Sequence, residues 1–163
     1  NYNGSSPFGG GITNRDSTDT DLNIITNNNT CNYNLRGISL SGDSLLVSNN
    51  VCCFNDNNGI ILTNVTNSVI NNNVVSSNSQ SSDLGYSNIL LTTVLSAYTS
   101  DNTIQNNIVR KGSETNKPSY GIEIANTDCQ YNMVINNDLY TSGELGSLSD
   151  SGSGTVTTAG NRL

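Results

Sequence analysis

The chain of 163 residues has no histidine, no tryptophan, one methionine and two prolines. Neither an imidazole nor a C-x-x-C pair is present, which argues against zinc, and with Met133 as the sole thioether a copper site lacks its usual ligands. No metal and no cofactor are expected. Basic residues are also few: six Lys and Arg against thirteen Asp and Glu, for a net charge of −7. Arg110-Lys111 is the only basic cluster. Phosphate neutralisation takes a concentrated cationic face, so nucleic acid is not an expected partner, and an anionic membrane surface is disfavoured for the same reason. No apolar run approaches the roughly 20 residues that cross a bilayer, so the chain is not expected to span a membrane. It starts at Asn1 without Met, which points to a processed product or an excised piece whose export signal is not visible.

What the chain does have is amide and hydroxyl. Asn, Ser and Thr supply 70 residues, and only 33% are hydrophobic. Such a composition also suits a disordered polar tract, but a disordered tract has no reason to phase aliphatics with Asn pairs. Five segments do so: Ile25-Thr26-Asn27-Asn28, Val47-Ser48-Asn49-Asn50-Val51, Ile70-Asn71-Asn72-Asn73-Val74, Ile104-Gln105-Asn106-Asn107-Ile108 and Ile135-Asn136-Asn137-Asp138-Leu139. A second motif alternates with them: Gly11-Ile12, Gly37-Ile38, Gly59-Ile60, Asn88-Ile89, Gly121-Ile122 and Thr155-Val156. Its apolar residues recur at steps of 26, 22, 29, 33 and 34, a period that signals a solenoid. Apolar residues alternate at Ile38/Leu40, Ile60/Leu62 and Ile122/Ile124, so these are strands with one face on a core.

In-register stacking predicts two buried columns. One holds Ile25, Val47, Ile70, Ile104 and Ile135; the other holds Ile12, Ile38, Ile60, Ile89, Ile122 and Val156. It also predicts a ladder of side-chain amides at Asn27, Asn49, Asn72, Asn106 and Asn137, with Asn78 in a loop. Cys31 and Cys53 each fall six residues after an aliphatic of the first motif. They are therefore expected on adjacent coils about 4.8 Å apart, either as small stacked residues or within reach of a disulfide.

These repeats, from Gly11 to about Val156, resemble those of the pectate-lyase-like β-helix superfamily. The expected fold is all-β, a single-stranded right-handed parallel β-helix of about five to six coils with an Asn ladder. Residues 1–10 are read as a flexible segment or a remnant of a preceding region. Residues 11–163 are read as the β-helix domain, the C-terminal part of a longer protein. That superfamily includes polysaccharide lyases and hydrolases, phage tailspikes and related surface proteins. The resemblance implies a polysaccharide or cell-surface glycan as partner and an extracellular, cell-surface or virion location. Its commonest metal chemistry is not matched: Arg110-Lys111 has no in-register Asp cluster beside it, and Asp16, Asp19, Asp21 and Asp43 lack the regular spacing of a Ca²⁺ loop. The sequons at Asn3, Asn28 and Asn64 are expected by chance in so Asn-rich a chain.

Loop lengths give the positional clue. Distances from the first aliphatic of the Asn motif to the next strand's apolar residue are 13, 13, 19, 18 and 21. Extra residues thus gather at one corner of the last three coils, at 76–86, 110–120 and 141–153, where loops of successive coils lie side by side. Tyr86, Tyr120, Arg110, Lys111, Asp83 and Glu114 in these loops are the carbohydrate-binding candidates. Tyr86 and Tyr120 are expected at similar places on neighbouring coils, with rings about one coil spacing apart. No catalytic residue is assigned, and Glu123, between Ile122 and Ile124, reads as a solvated outward residue. The leading reading is a non-catalytic binding or structural domain with a carbohydrate-facing side. Its rivals are a polysaccharide lyase or glycoside hydrolase using carboxylates or basic residues of the long loops, and a fibre, sheath or appendage subunit that assembles with itself through open coil ends.

Overall fold

The computed structural model describes residues 10–14, 23–94, 97–157 and 159–163. Apart from Gly10, the segment read as flexible lies outside the described residues, as do Asp16, Asp19, Asp21 and the Asn3 sequon. Among the described residues every strand pairing is parallel, and the chain winds through three sheets once per coil. The first sheet stacks Gly10–Thr13, Arg36–Asp43, Ile60–Thr66, Ile89–Thr92, Tyr120–Ile124 and Gly146–Asp150, with Thr99–Ser100 and Cys129–Gln130 at its side. The second stacks Ile25–Asn27, Leu46–Ser48, Val69–Asn71, Thr103–Gln105 and Met133–Ile135. The third stacks Val51–Cys53, Val74–Ser76 and Ile108–Arg110. The fold is a parallel β-helix with an Asn ladder.

The interior is filled by aliphatic columns, two on the first sheet (the other being Leu40, Leu62, Leu91 and Ile124) and one on each of the others, since every other residue of each strand points inward. In the first sheet Ile12, Ile38, Ile60, Ile89, Ile122 and Leu148 lie in register. Leu148, not Val156, closes that column. Val156 stands opposite Met133 in the second sheet and is 45% exposed. The sequence misleads here because Ser147-Leu148-Ser149 carries no glycine signature, while Thr155-Val156-Thr157 looks like a strand.

The column of the second sheet runs through Thr26, Val47, Ile70, Ile104 and Val134, so Ile25 and Ile135 are corrected by one residue. Ile25 faces outward and is 71% exposed, while the shorter Thr26 is buried. A one-residue slip exchanges the two faces of a strand, and adjacent residues such as Val134-Ile135 leave the choice open in sequence.

The same slip moves the amide ladder. Asn28, Asn49, Asn72, Asn106 and Asn136 hold positive φ near 55°. Asn tolerates this left-handed conformation better than other non-glycine residues, and it turns the chain at the corner. The residue after each one points inward. Asn29, Asn50, Asn73, Asn107, Asn137 and, after the positive-φ Gly160, Asn161 form the ladder, so the expected rungs Asn27, Asn49, Asn72 and Asn106 are corrected and Asn137 stands. Each interior rung accepts from the previous rung and donates to the next. The Nδ2 of Asn73, for example, donates to Asn107 Oδ1 at 3.0 Å and to the Val47 carbonyl at 3.0 Å.

The rule repeats at the other two corners. Asn67, Asp101 and Tyr131 have positive φ and precede inward Ser68, Asn102 and Asn132, which form a second ladder. Tyr33, Phe54 and Ser77 precede Asn34, Asn55 and Asn78, a third. Asn78, expected in a loop, is fully buried. The fourth coil has Lys111-Gly112 where the next rung belongs, and Asn88 fills the gap from the first sheet, its Oδ1 accepting from Asn78 Nδ2 at 2.7 Å. On the preceding coils that position is Gly37 and Gly59, because the ladder occupies the space. A Cβ on Gly59 would lie 2.4 Å from Val75 Cγ1 and 2.6 Å from Asn78 Nδ2.

Candidate functional site

The corner between the third and first sheets carries the long connections, residues 77–88 and 111–119. The third expected insertion is corrected: it contains the strand Gly146–Asp150, which leaves only residues 141–145 as a connection. Both long loops are fastened to each other. Leu84 N–H donates to the Lys117 carbonyl at 2.8 Å, Lys117 N–H to Asp83 Oδ1 at 2.9 Å, Asn116 Nδ2 to the Gln80 carbonyl at 2.6 Å, and Ser119 N–H to the Tyr86 carbonyl at 2.9 Å. The third connection joins them, with Glu144 and Leu145 N–H donating to the Pro118 and Ser119 carbonyls. The result is a continuous wall across three coils beside the outward face of the first sheet.

The six candidates sort by what they touch. Asp83 is spent on the Lys117 amide. Glu114 folds over Gly112, and its Oε2 is buried without a hydrogen-bond partner. Arg110 donates to Asp138 Oδ2 at 2.5 Å and to the Asp138 carbonyl at 3.0 Å, while Lys111 pairs with Glu144 at 2.7 Å. Both basic groups are therefore matched within the protein, though each remains about one-third exposed. Tyr86 and Tyr120 are half-buried and out of register by one residue. Ile122 pairs with Ile89, so Tyr120 stands opposite Ser87, and its ring lies over Gly146 on the next coil.

Three residues at the foot of the wall were not singled out from sequence as a site. Ser87 Oγ donates to Glu123 Oε2 at 2.5 Å and lies 2.9 Å from Ser119 Oγ. Ser87 has one hydroxyl proton, so Ser119 is the donor in the second contact. The two buried hydroxyls thus point in relay at a half-buried carboxylate on the outward face. Glu123 alternates with Ile122 and Ile124 and is visible as outward-facing in sequence. Its direct partner Ser87 comes from the preceding coil, 36 residues away, and leaves no local signal.

Asp138 sits between two arginines, Arg110 and, at 3.6 Å, Arg162, whose guanidinium also lies over the Tyr140 ring. The hydrogen bond from Arg110, aided by the Tyr140 N–H and both positive charges, outweighs partial burial and holds the carboxyl below the usual range. A folded-state pKa below the unfolded value stabilises above the unfolded pKa and is lost as pH falls through the folded one. Wild-type stability is therefore expected to drop below about pH 4, with Asp138→Asn dropping less over the same range. Urea midpoints near pH 6 and pH 3 check this, and identical losses in the two proteins would contradict it.

A family model described as "right handed beta helix region" matches residues 1–163. The chain belongs to this right-handed β-helix family. No curated protein and no solved structure matches it. Within the β-helix, no helix among the described residues is long and apolar enough to cross a membrane. Family membership fixes the handedness of the coil and leaves the chemistry of its outer face to the residues on that face.

Proposed function

We propose that this β-helix binds a polysaccharide or cell-surface glycan without cleaving it, in an extracellular, cell-surface or virion setting. The ligand lies along the outward face of the first sheet against the long-loop wall, near Tyr86, Arg110, Lys111 and Tyr120. The observation that carries this reading is the wall itself. Two long loops and a shorter one are cross-bonded over three successive coils, giving an extended and fixed edge suited to a polymer. Tyrosine rings offer apolar faces to the C–H surface of a sugar, and Glu123 with its serine relay offers acceptors to sugar hydroxyls.

Glycoside hydrolysis needs a carboxyl kept protonated by a raised pKa beside a second carboxylate. Hydrogen bonds from Ser44, Thr66 and Asn67 hold the Asp43 carboxyl below its usual range, and Arg110 does the same for Asp138, so neither is kept protonated for such a role. In the loops, Asp83 and Glu144 are tied to an amide and an ammonium. This supports binding over catalysis. The expected result is retention on an array of neutral and uronic-acid oligosaccharides, with no new reducing ends and no unsaturated-uronate absorbance. Tyr86→Ser/Tyr120→Ser is expected to lower affinity at least tenfold while keeping the β-sheet circular dichroism. Unchanged affinity in the folded double variant would remove this face, and product release would replace binding with an enzyme.

A further inference from the structure

We propose that Cys31 and Cys52 are an oxidation site, forming a disulfide that staples the first coil to the second. The register makes the pair. Thr30 bridges to Val51 in parallel, and Cys31 N–H donates to the Val51 carbonyl at 2.8 Å, which sets Cys31 opposite Cys52 rather than the expected Cys53. Both side chains point into the interior, at 1% and 0% exposure, at the head of the column continued by Val75, Val109 and Leu139. In-register neighbours of parallel coils are about 4.8 Å apart, inside the Cα range of disulfides.

The other two cysteines are out of reach. Strand alternation turns Cys53 outward, where its Sγ lies 3.2 Å from Ser76 Oγ. Cys129 belongs to a later coil, its sulfur 3.6 Å from the Leu91 carbonyl. All four are free thiols in this structure.

The thiols already interact. A hydrogen bond from Cys52 holds Cys31 below the usual thiol range, and the same contact with burial pushes Cys52 well up. Cys31, carried on the first coil, is the thiol exposed when that coil lifts, and there it is the nucleophile toward a low-molecular-weight disulfide such as oxidised glutathione. Its thiolate attacks one glutathione sulfur and expels the other as thiolate, leaving a mixed disulfide. Cys52, on losing its proton, displaces the second glutathione. Two protein thiols become one disulfide, and their two electrons reduce one oxidised glutathione to two thiols. Both sulfurs are sealed in the closed coil, so exchange proceeds when the first coil lifts from the second, a local opening cheaper than global unfolding.

The test is to refold the full chain with oxidised and reduced glutathione, block free thiols with iodoacetamide, and map the unreduced digest by mass spectrometry. The expected product joins the Cys31 peptide to the Cys52–Cys53 peptide, with Cys129 alkylated. Its melting temperature should exceed that of the dithiothreitol-treated protein by roughly 5–10 °C. Cys52→Val, a residue the column already holds on later coils, should lose the crosslink, and Cys53→Ser should keep it. Alkylated Cys31 in the oxidised protein, or a crosslink that survives Cys52→Val, would overturn the proposal. If Cys52→Val does not fold, Cys53→Ser decides alone: a retained crosslink supports the assignment and a lost one overturns it.

Discussion

Replacing Asn73 by leucine is expected to destabilise the protein by about 3–5 kcal/mol, roughly two to three times the effect of the same change at Asn72. Asn73 Oδ1 accepts from both the N–H and the Nδ2 of Asn50, and its Nδ2 donates to the Val47 carbonyl and to Asn107 Oδ1. Leucine removes all four contacts and leaves their partners buried, each at a cost of about 1–3 kcal/mol where no water or neighbour compensates. Asn72 is exposed, and its side chain is not a rung. Its leucine variant must hold a φ of 54°, a left-handed strain of about 1–2 kcal/mol. Chemical denaturation of the two variants separates them, and equal midpoints would contradict the ladder register.

Ile70→Ala is expected to cost about 2–5 kcal/mol, whereas Ile25→Ala should cost under about 0.5 kcal/mol. Ile70 is fully buried between Val47 and Ile104, where the coils above and below prevent the cavity from collapsing. Ile25 occupies the same motif position in sequence, yet its side chain is in water. Urea unfolding of both variants measures the difference. A large loss at Ile25 would show that the second sheet is threaded one residue earlier.

These contrasts mark how far the sequence could be read. The period, the parallel stacking and most of the first column follow from Gly-Ile spacing, because glycine is needed where a ladder amide fills the space of a Cβ, as at Gly59. Within an Asn run such as Asn71-Asn72-Asn73, composition does not tell the corner residue from the rung. Only the left-handed φ of Asn72 does, and that is a property of the folded chain. The two other ladders were hidden for a related reason. Among their corner residues Tyr33, Phe54 and Tyr131 carry no turn signature and hold a left-handed geometry that such side chains seldom adopt. At the candidate site, insertion length located the corner on two coils and overreached on the last, where Leu148 had been passed over. The pairing of Arg110 with Asp138 and of Ser87 with Glu123 spans 28 and 36 residues, beyond any local pattern.

The most direct measurement is an amide-shift titration of ¹⁵N-labelled protein with each oligosaccharide retained on the array. The account predicts shifts confined to residues 83–90 and 110–123, including Tyr86, Ser87, Tyr120 and Glu123, with the Asn corner of the second and third sheets unmoved. Shifts centred on Asn49, Asn72 and Asn106, or none with any oligosaccharide, would contradict a glycan-binding face at the long-loop wall.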